Sequence, residues 1–351
     1  MTHLQTDQHF MARCLQLASQ AIGHTYPNPM VGSVIVHEGK IIGEGYHCKA
    51  GEPHAEVNAI RSVKDESLLS QSTLYVNLEP CAHFGKTPPC SLLIIDKKIP
   101  RVVIGCVDSF SEVAGKGIEM LRKAGVEVTT GVLEAESRWL NRRFFTFHEQ
   151  KRPYIILKWA QTLDGFIDID RTANQPQQPT WITNNYARRA VHRLRAQEQA
   201  IMVGTNTALK DNPSLTVRDW SGTNPLRIVL DRTGKLPKSL AIFNNEAPTW
   251  VITEQNHNSS NNIIYKTFRF DDSLMSEVLN QLYLSNIQSV IIEGGQTLLQ
   301  SFIDKGLWDE AWLFTGNKFF GNGVKAPKFQ GLQIDHKHFG NSSLFIYRKN
   351  D

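Results

Sequence analysis

The chain has 351 residues, 41% hydrophobic and 21% charged, with a formal net charge of +4. The length predicts two domains, each apolar enough to pack a core; the mild positive balance suits a phosphorylated small substrate and is too weak to argue for a nucleic-acid binder. Five unevenly spaced cysteines argue against a secreted disulfide framework, no apolar run reaches the roughly 18–20 residues of a membrane span, and "MTHLQTDQHF" lacks the basic and apolar regions of a signal peptide, so a cytoplasmic location is expected.

In chain order, Phe10, Cys14, Leu17 and Ala18 recur at helical spacing and predict a helix from Asp7 to Ile22. "PNPMVG" is a turn, and "VGSVIVHEGKIIGEGYH" reads as a hairpin around "HEGK". A helix opens at His54, "TLYVNL" (73–78) is a strand that runs into Glu79-Pro80-Cys81, and Pro88-Pro89-Cys90 opens another helix. "RVVIGCVD" and "VEVTTG" are strands separated by the helix "GIEMLRKAG", which predicts an α/β/α layered sheet. The charged stretch "EAESRWLNRRFFTFHEQ" reads as one helix ending at "KRP", where the boundary between domains 1–150 and 151–351 is placed. Beyond it α/β alternation resumes. Strands are expected at 154–160, 200–204, 226–231, 249–253, 288–293, 310–315 and 343–348, and helices at 184–197, 273–285 and 296–305, with polar loops at 174–180 and 253–262.

His54, Cys81 and Cys90 offer three zinc ligands, the protein share of a catalytic site with one position open to water. Bound zinc lowers the pKa of that water to about 7, and Glu56 is placed to move protons between it and the substrate. Residues two apart point about 200° away from each other on a helix, so His54 and Glu56 can share a site only at a helix mouth. His54-Ala55-Glu56 and Pro80-Cys81 match the H-x-E…P-C-x-x-C pattern of zinc nucleobase deaminases. The second cysteine departs from it, following after eight residues instead of two. His83 is open as a fourth ligand, although a closed site would leave Glu56 without a task. Cys14, Cys48 and Cys106 read as structural.

"PNPMVG", "GYHCKAGEPHAE" and "EPCAHFGKTPPC" resemble the deaminase half of the bifunctional deaminase/reductases of riboflavin biosynthesis. The resemblance implies a cytidine-deaminase-like first domain with one Zn2+ per chain, and a pyrimidine and phosphate pocket lined by Asn28, His47, His83, Lys86 and Thr87. The residues themselves leave Lys86 open between a phosphate contact and a solvated lysine, and Asn28 between a base contact and turn chemistry. In the second half, "VIIEGGQTLLQSF" is a strand, a glycine pair and a helix start, either a ligand turn or merely a tight connection. "VGTNTALKDNP" offers Thr205, Thr207 and Asp211 at another strand end. "KWAQTLDGFI", "WITN", "TNTALKDNPSLTVR" and "IIEGGQTL" resemble the reductase half of the same family, which implies a dihydrofolate-reductase-like α/β fold that uses NADPH. By position, Ala160, Trp181, Thr207, Asp211, Gly294, Gly295, Gln296 and Thr297 would meet the cofactor, and Arg195, Leu215, Arg218 and Glu293 the substrate. Arg195 is also open as part of a solvated basic face, with Arg188, Arg189 and Arg193 opposite an Ala187/Ala190/Val191/Leu194 stripe. Pro179 stands where the family usually has serine, which moves a substrate contact to Thr180 or removes it.

The expected activity is deamination of 2,5-diamino-6-(5-phosphoribosylamino)pyrimidin-4-one, then NADPH reduction of the ribosyl group of the product to ribityl, with Asp164, Lys158 and Glu293 as candidate proton donors. Small phosphorylated pyrimidines, no nucleic acid, no membrane and a homo-oligomer are the expected partner set. Two rivals are a nucleobase or tRNA deaminase with an RNA-binding module, which the weak basic excess disfavours, and a structural zinc module, for which Glu56 would be dispensable.

Overall fold

The computed structural model describes residues 3–84, 88–110, 114–171, 178–260 and 262–350. The chain forms two compact units, Met1–Lys151 and Arg152–Asp351.

In the first unit α1 (His3–Ser19) precedes the hairpin β1 (Gly32–His37) and β2 (Lys40–Tyr46). Glu38 and Gly39 both take positive φ at the hairpin tip, the demand of a two-residue turn that matches strand twist. Then follow α2 (Ala55–Ser62), β3 (Thr73–Leu78), α3 (Cys90–Asp96), β4 (Arg101–Cys106), α4 (Lys116–Lys123) and β5 (Glu127–Thr130). The strands form one sheet in the order β2-β1-β3-β4-β5, with β3, β4 and β5 parallel. Alternation along the strands builds a core on each face. Leu74, Val76, Val102 and Ile104 pack with Ala59, Ile60, Ile94, Ile118 and Leu121 of α2, α3 and α4. Val34, Val36, Tyr75 and Val103 pack on the other side with Phe10, Met11, Cys14 and Leu17 of α1. The first helix begins before Asp7 and stops short of Ile22. The charged stretch expected as one helix is two, α5 (Glu134–Leu140) and α6 (Arg142–Gln150). The break is at Asn141, whose side-chain amide accepts from the Met30 backbone N–H at 2.7 Å and donates to the Met30 carbonyl at 2.9 Å. A helix-interior Asn that finds such partners leaves the helical path readily.

The second unit contains β6 (Tyr154–Gln161), β7 (Phe166–Asp168), α7 (Asn185–Gln197), β8 (Ala200–Val203), α8 (Thr205–Asp211), β9 (Leu226–Leu230), β10 (Thr249–Thr253) and β11 (Ile263–Thr267). These are followed by α9 (Leu274–Leu284), β12 (Ser289–Glu293), α10 (Gln296–Asp304), β13 (Glu310–Gly316), β14 (Val324–Lys325), β15 (Leu332–Phe339) and β16 (Ser342–Arg348). Nine strands form a sheet in the order β11-β10-β9-β8-β12-β6-β13-β16-β15, and β7 pairs with β14. From β11 to β13 all neighbours are parallel, and the last two pairings are antiparallel. The carboxyl ends of β6, β12, β8 and β9 therefore share one edge, the place where such sheets bind ligands. Both faces are covered, one by Leu279, Leu282, Leu299 and Phe302 of α9 and α10, the other by Leu194, Ala208, Leu236 and Ile242. No helix of the described residues is long and apolar enough to cross a membrane.

Candidate active sites

The first site is built where elements end. His54 is the N-cap of α2, with extended backbone at φ −69° and ψ 165°. Cys81 follows the end of β3, and Cys90 opens α3 behind Pro89. His54 Nδ1 lies 3.6 Å from Cys81 Sγ and 3.4 Å from Cys90 Sγ, and the three ligand atoms all lie within 4.8 Å of one another. Zinc bonds of about 2.05 Å to nitrogen and 2.3 Å to sulfur, at a tetrahedral angle, put N and S about 3.6 Å apart. The separations fit. This is the one group of metal-ligating type among the described residues, and His83 is not in it. The Cys90 backbone N–H donates to Cys81 Sγ at 3.2 Å. Hydrogen bonds from the Cys90 side chain, His54 and that N–H bring the Cys81 thiol down to about 4, so a thiolate is the natural state of this ligand. His54 is raised, first by its bond with Cys81.

Glu56 is fully enclosed in the first turn of α2, with its carboxyl in hydrogen-bond contact with the Cys90 side chain and in the field of Cys81 and His54. Burial, then the Cys81 charge, pushes it up to about 7. His47 is buried and edge-on to His54, with ring centroids 5.5 Å apart. Its Nδ1 meets the Pro53 carbonyl at 3.1 Å, which makes it the protonated nitrogen, and Nε2 then accepts from the Asn28 amide at 3.1 Å. Burial lowers its pKa. Asn28 and His47 thus stand as one bonded pair beside the metal ligands. Lys86 and Thr87 lie outside the described residues.

Sequence reasoning passed over Glu79. It is buried, and its carboxylate accepts from the backbone N–H groups of Asp108 (3.2 Å), Gly115 (2.9 Å), Gly117 (2.9 Å) and Ile118 (3.2 Å). A Cβ on Gly117 would stand 2.0 Å from the Pro80 carbonyl oxygen, so only glycine lets α4 approach the Pro80–Cys81 turn this closely. A glutamate just after a strand and before Pro-Cys was the available signal.

In the second unit a cavity of about 1030 Å³ runs along the shared strand-end edge. That is at the upper end for a small-molecule or cofactor site. All twelve residues assigned to cofactor and reductase substrate from the sequence line it: Ala160, Trp181, Thr207, Asp211, Gly294, Gly295, Gln296, Thr297, Arg195, Leu215, Arg218 and Glu293. Gly294 takes φ +145°, and the Thr207 hydroxyl accepts from the Gly295 N–H at 2.9 Å, which ties the glycine turn to α8. Thr205, in contrast, donates its hydroxyl to the Leu230 carbonyl at 2.5 Å. Arg195 is no solvated helix face. It is buried, and Nη2 bonds both oxygens of Glu293 at 3.0 Å. Lys158 Nζ reaches Glu293 Oε1 at 3.0 Å from the adjacent strand. Burial pushes the Glu293 carboxyl up, but Arg195 and Lys158 outweigh it and hold it at about 2. Asp164 bonds the Phe320 and Gly321 amides and does not line the cavity. Thr180 donates to Asp168 at 2.7 Å, so its hydroxyl hydrogen is already committed. His192, also unanticipated, lines the cavity and accepts the Arg218 N–H on Nδ1 at 3.1 Å.

Two family models match the chain. The cytidine and deoxycytidylate deaminase zinc-binding region covers residues 4–106, and the RibD C-terminal domain covers residues 153–344. The chain is 42% identical over 330 residues to riboflavin biosynthesis protein RibD of Aquifex aeolicus, covering 91% of this chain and 89% of that protein. Against the protein of the same name from Escherichia coli it is 35% identical over 361 residues, covering 94% and 96%. A crystal structure of the Thermotoga maritima diaminohydroxyphosphoribosylaminopyrimidine deaminase/5-amino-6-(5-phosphoribosylamino)uracil reductase gives a TM-score of 0.88 at 37% identity, over 99% of this chain and 100% of that one. With a zinc-binding deaminase region followed by a reductase region, and relatives of this identity along almost its whole length, the chain belongs to the RibD family of bifunctional deaminase/reductases of riboflavin biosynthesis.

Proposed function

We propose that residues 1–150 deaminate 2,5-diamino-6-(5-phosphoribosylamino)pyrimidin-4-one at the His54/Cys81/Cys90 centre, and that residues 151–351 reduce the ribosyl group of the product to ribityl with NADPH in the strand-end cavity. The observation that carries the first half is the three-ligand cluster at tetrahedral spacing with a buried carboxyl beside it. His54, Cys81 and Cys90 would hold the ion, which when bound acidifies a water and so supplies the nucleophile. Glu56, enclosed beside the three ligands, is placed to take a proton from the attacking water and to give it to the amino group, which would leave as ammonia. Asn28 and His47, joined to each other and to the Pro53 carbonyl, orient the pyrimidine.

In the second half NADPH supplies hydride to C1′ of the ribosyl group, and the protein supplies orientation and charge placement. With the Gly295 N–H held by Thr207, the backbone N–H groups of Gln296 and Thr297 at the start of α10 are the ones that would meet the cofactor's phosphates. Arg195 and Arg218 anchor the substrate, with Arg195 aimed by Glu293. A homo-oligomer is the favoured assembly: β15 is an edge strand of eight residues with Leu332 and Ile334 exposed, a surface that folded proteins usually cover. Chelation tests the division of labour on the full chain. Stripping the metal is expected to abolish ammonia release, to leave NADPH oxidation on the deaminated substrate within about twofold, and to be reversed by one zinc per chain. Continued deamination by metal-free protein would remove the metal assignment.

A further inference from the structure

One guanidinium ties together the cavity wall between the end of β7 and the end of α8. Arg171 has a side chain only 9% exposed. Its Nε donates to the Asp168 carboxylate at 3.0 Å. Nη2 donates to Asp168 Oδ1 at 3.0 Å, Asp211 Oδ1 at 2.9 Å and Thr180 Oγ1 at 3.1 Å. Nη1 donates to the carbonyls of Gln178 at 2.8 Å and Lys210 at 2.9 Å. Each nitrogen of the fork is therefore engaged inside the protein. An arginine so committed is not an anion site; its task lies in what it holds.

It holds two carboxylates that line the same cavity. Two such groups side by side do not both stay ionised without a cation between them. Burial already pushes the Asp211 carboxyl up to about 6. The charged groups facing it are Asp168 from the end of β7, Arg171 just beyond that strand, and Glu293 from β12; on its own helix Lys210 contributes its carbonyl to Arg171. Asp168 and Glu293 push in the same direction as burial, and Arg171 opposes them.

We propose that Arg171 is a positioning residue of the reductase site, which clamps Asp168, Asp211 and Thr180 into one cluster and so keeps Asp211 an acceptor for bound NADPH. This rests on the cofactor reading of the cavity. It is tested on the full-length protein by fluorescence titration with NADPH at pH 6.5 and 8.5, using Arg171→Met, Arg171→Lys and Asp211→Asn. Without its cation Asp211 titrates higher, so it is protonated at pH 6.5 and regains its charge as the pH rises. Arg171→Met is expected to weaken NADPH binding about tenfold at pH 6.5 and far less at pH 8.5, since a shift of one pKa unit corresponds to about a factor of ten. Asp211→Asn is expected to weaken binding equally at both. Binding by Arg171→Met with the wild-type pH dependence, while Asp211→Asn is weakened, overturns the role of Arg171 alone. Wild-type affinity in Asp211→Asn, or no NADPH binding by the wild type, overturns the cofactor reading as well. If thermal unfolding shows that the methionine variant does not fold, Arg171→Lys decides: it keeps the charge without the fork, about a threefold or greater loss of affinity is expected, and unchanged affinity overturns the proposal.

Discussion

Glu56→Gln is expected to stop ammonia release while zinc content stays near one per chain and NADPH oxidation on the deaminated substrate continues. The substitution keeps the shape of a side chain enclosed in the first turn of α2 and removes only its capacity to take a proton. A positioned general acid–base group contributes about 10²–10⁴-fold. Here one group serves both the attack and the departure of ammonia, so a loss of about 10³-fold or more is expected. The metal ligands lie on the other side of the comparison. Cys90→Ser would lose metal and ammonia release together, because the ligand atom itself is replaced. Ammonia release by Glu56→Gln within tenfold of wild type, at full metal content, would sink the proton-transfer role.

The second large effect is expected at Glu293→Gln. Glu293 sits between Lys158 and Arg195, whose side chains are 11% and 9% exposed. Neutralising it leaves two like charges enclosed without their counter-ion, a change that typically costs about 3–5 kcal/mol. The second unit should unfold at visibly lower temperature, and the reductase rate should fall, because Arg195 loses the group that aims it. The sign of the pH dependence follows from the depressed carboxyl. Glu293 titrates near 2 when folded and at about 4.3 when unfolded. Its contribution is therefore complete above about 4.3 and is lost as pH falls toward 2. Thermal scans from pH 7 to pH 3 should show that acid loss in the wild type and a shallower one in Glu293→Gln. Parallel curves would mean that the ion triad adds nothing net to stability.

How much of this was legible in the chain depends on how far each cause reached along it. The metal cluster was legible because its chemistry leaves local marks. A helix mouth is needed for His54 and Glu56 to converge, a strand end carries Cys81, and a proline-opened helix carries Cys90. Buried parallel strands such as β6, β8 and β12 were equally plain, being short apolar runs. What escaped was set by partners distant in sequence. The strand β15 reads "LQIDHKHF", in which apolar alternation stops after Leu332 and Ile334, because it lies at a sheet edge largely open to solvent and is held mainly by its ladder with β16. The break at Asn141 depends on Met30, 111 residues earlier. Arg195 looked like one cation among several on a basic helix, and its burial is decided by Glu293, 98 residues later. Glu79 and Arg171 share that history: Glu79 is explained by backbone groups 29 to 39 residues later, and Arg171, though it also meets the nearby Asp168, by Asp211, 40 residues later.

The two ligands that sit at helix openings have a consequence beyond the reaction. His54 and Cys90 are the residues from which α2 and α3 start, and neither helix has a side-chain hydrogen bond capping its beginning. An ion gripping both, together with Cys81, acts as a staple across chain separations of 27 and 9 residues. Filling the centre would then also brace the fold, and chains made without metal are expected to be loosened where those two helices begin, not merely idle.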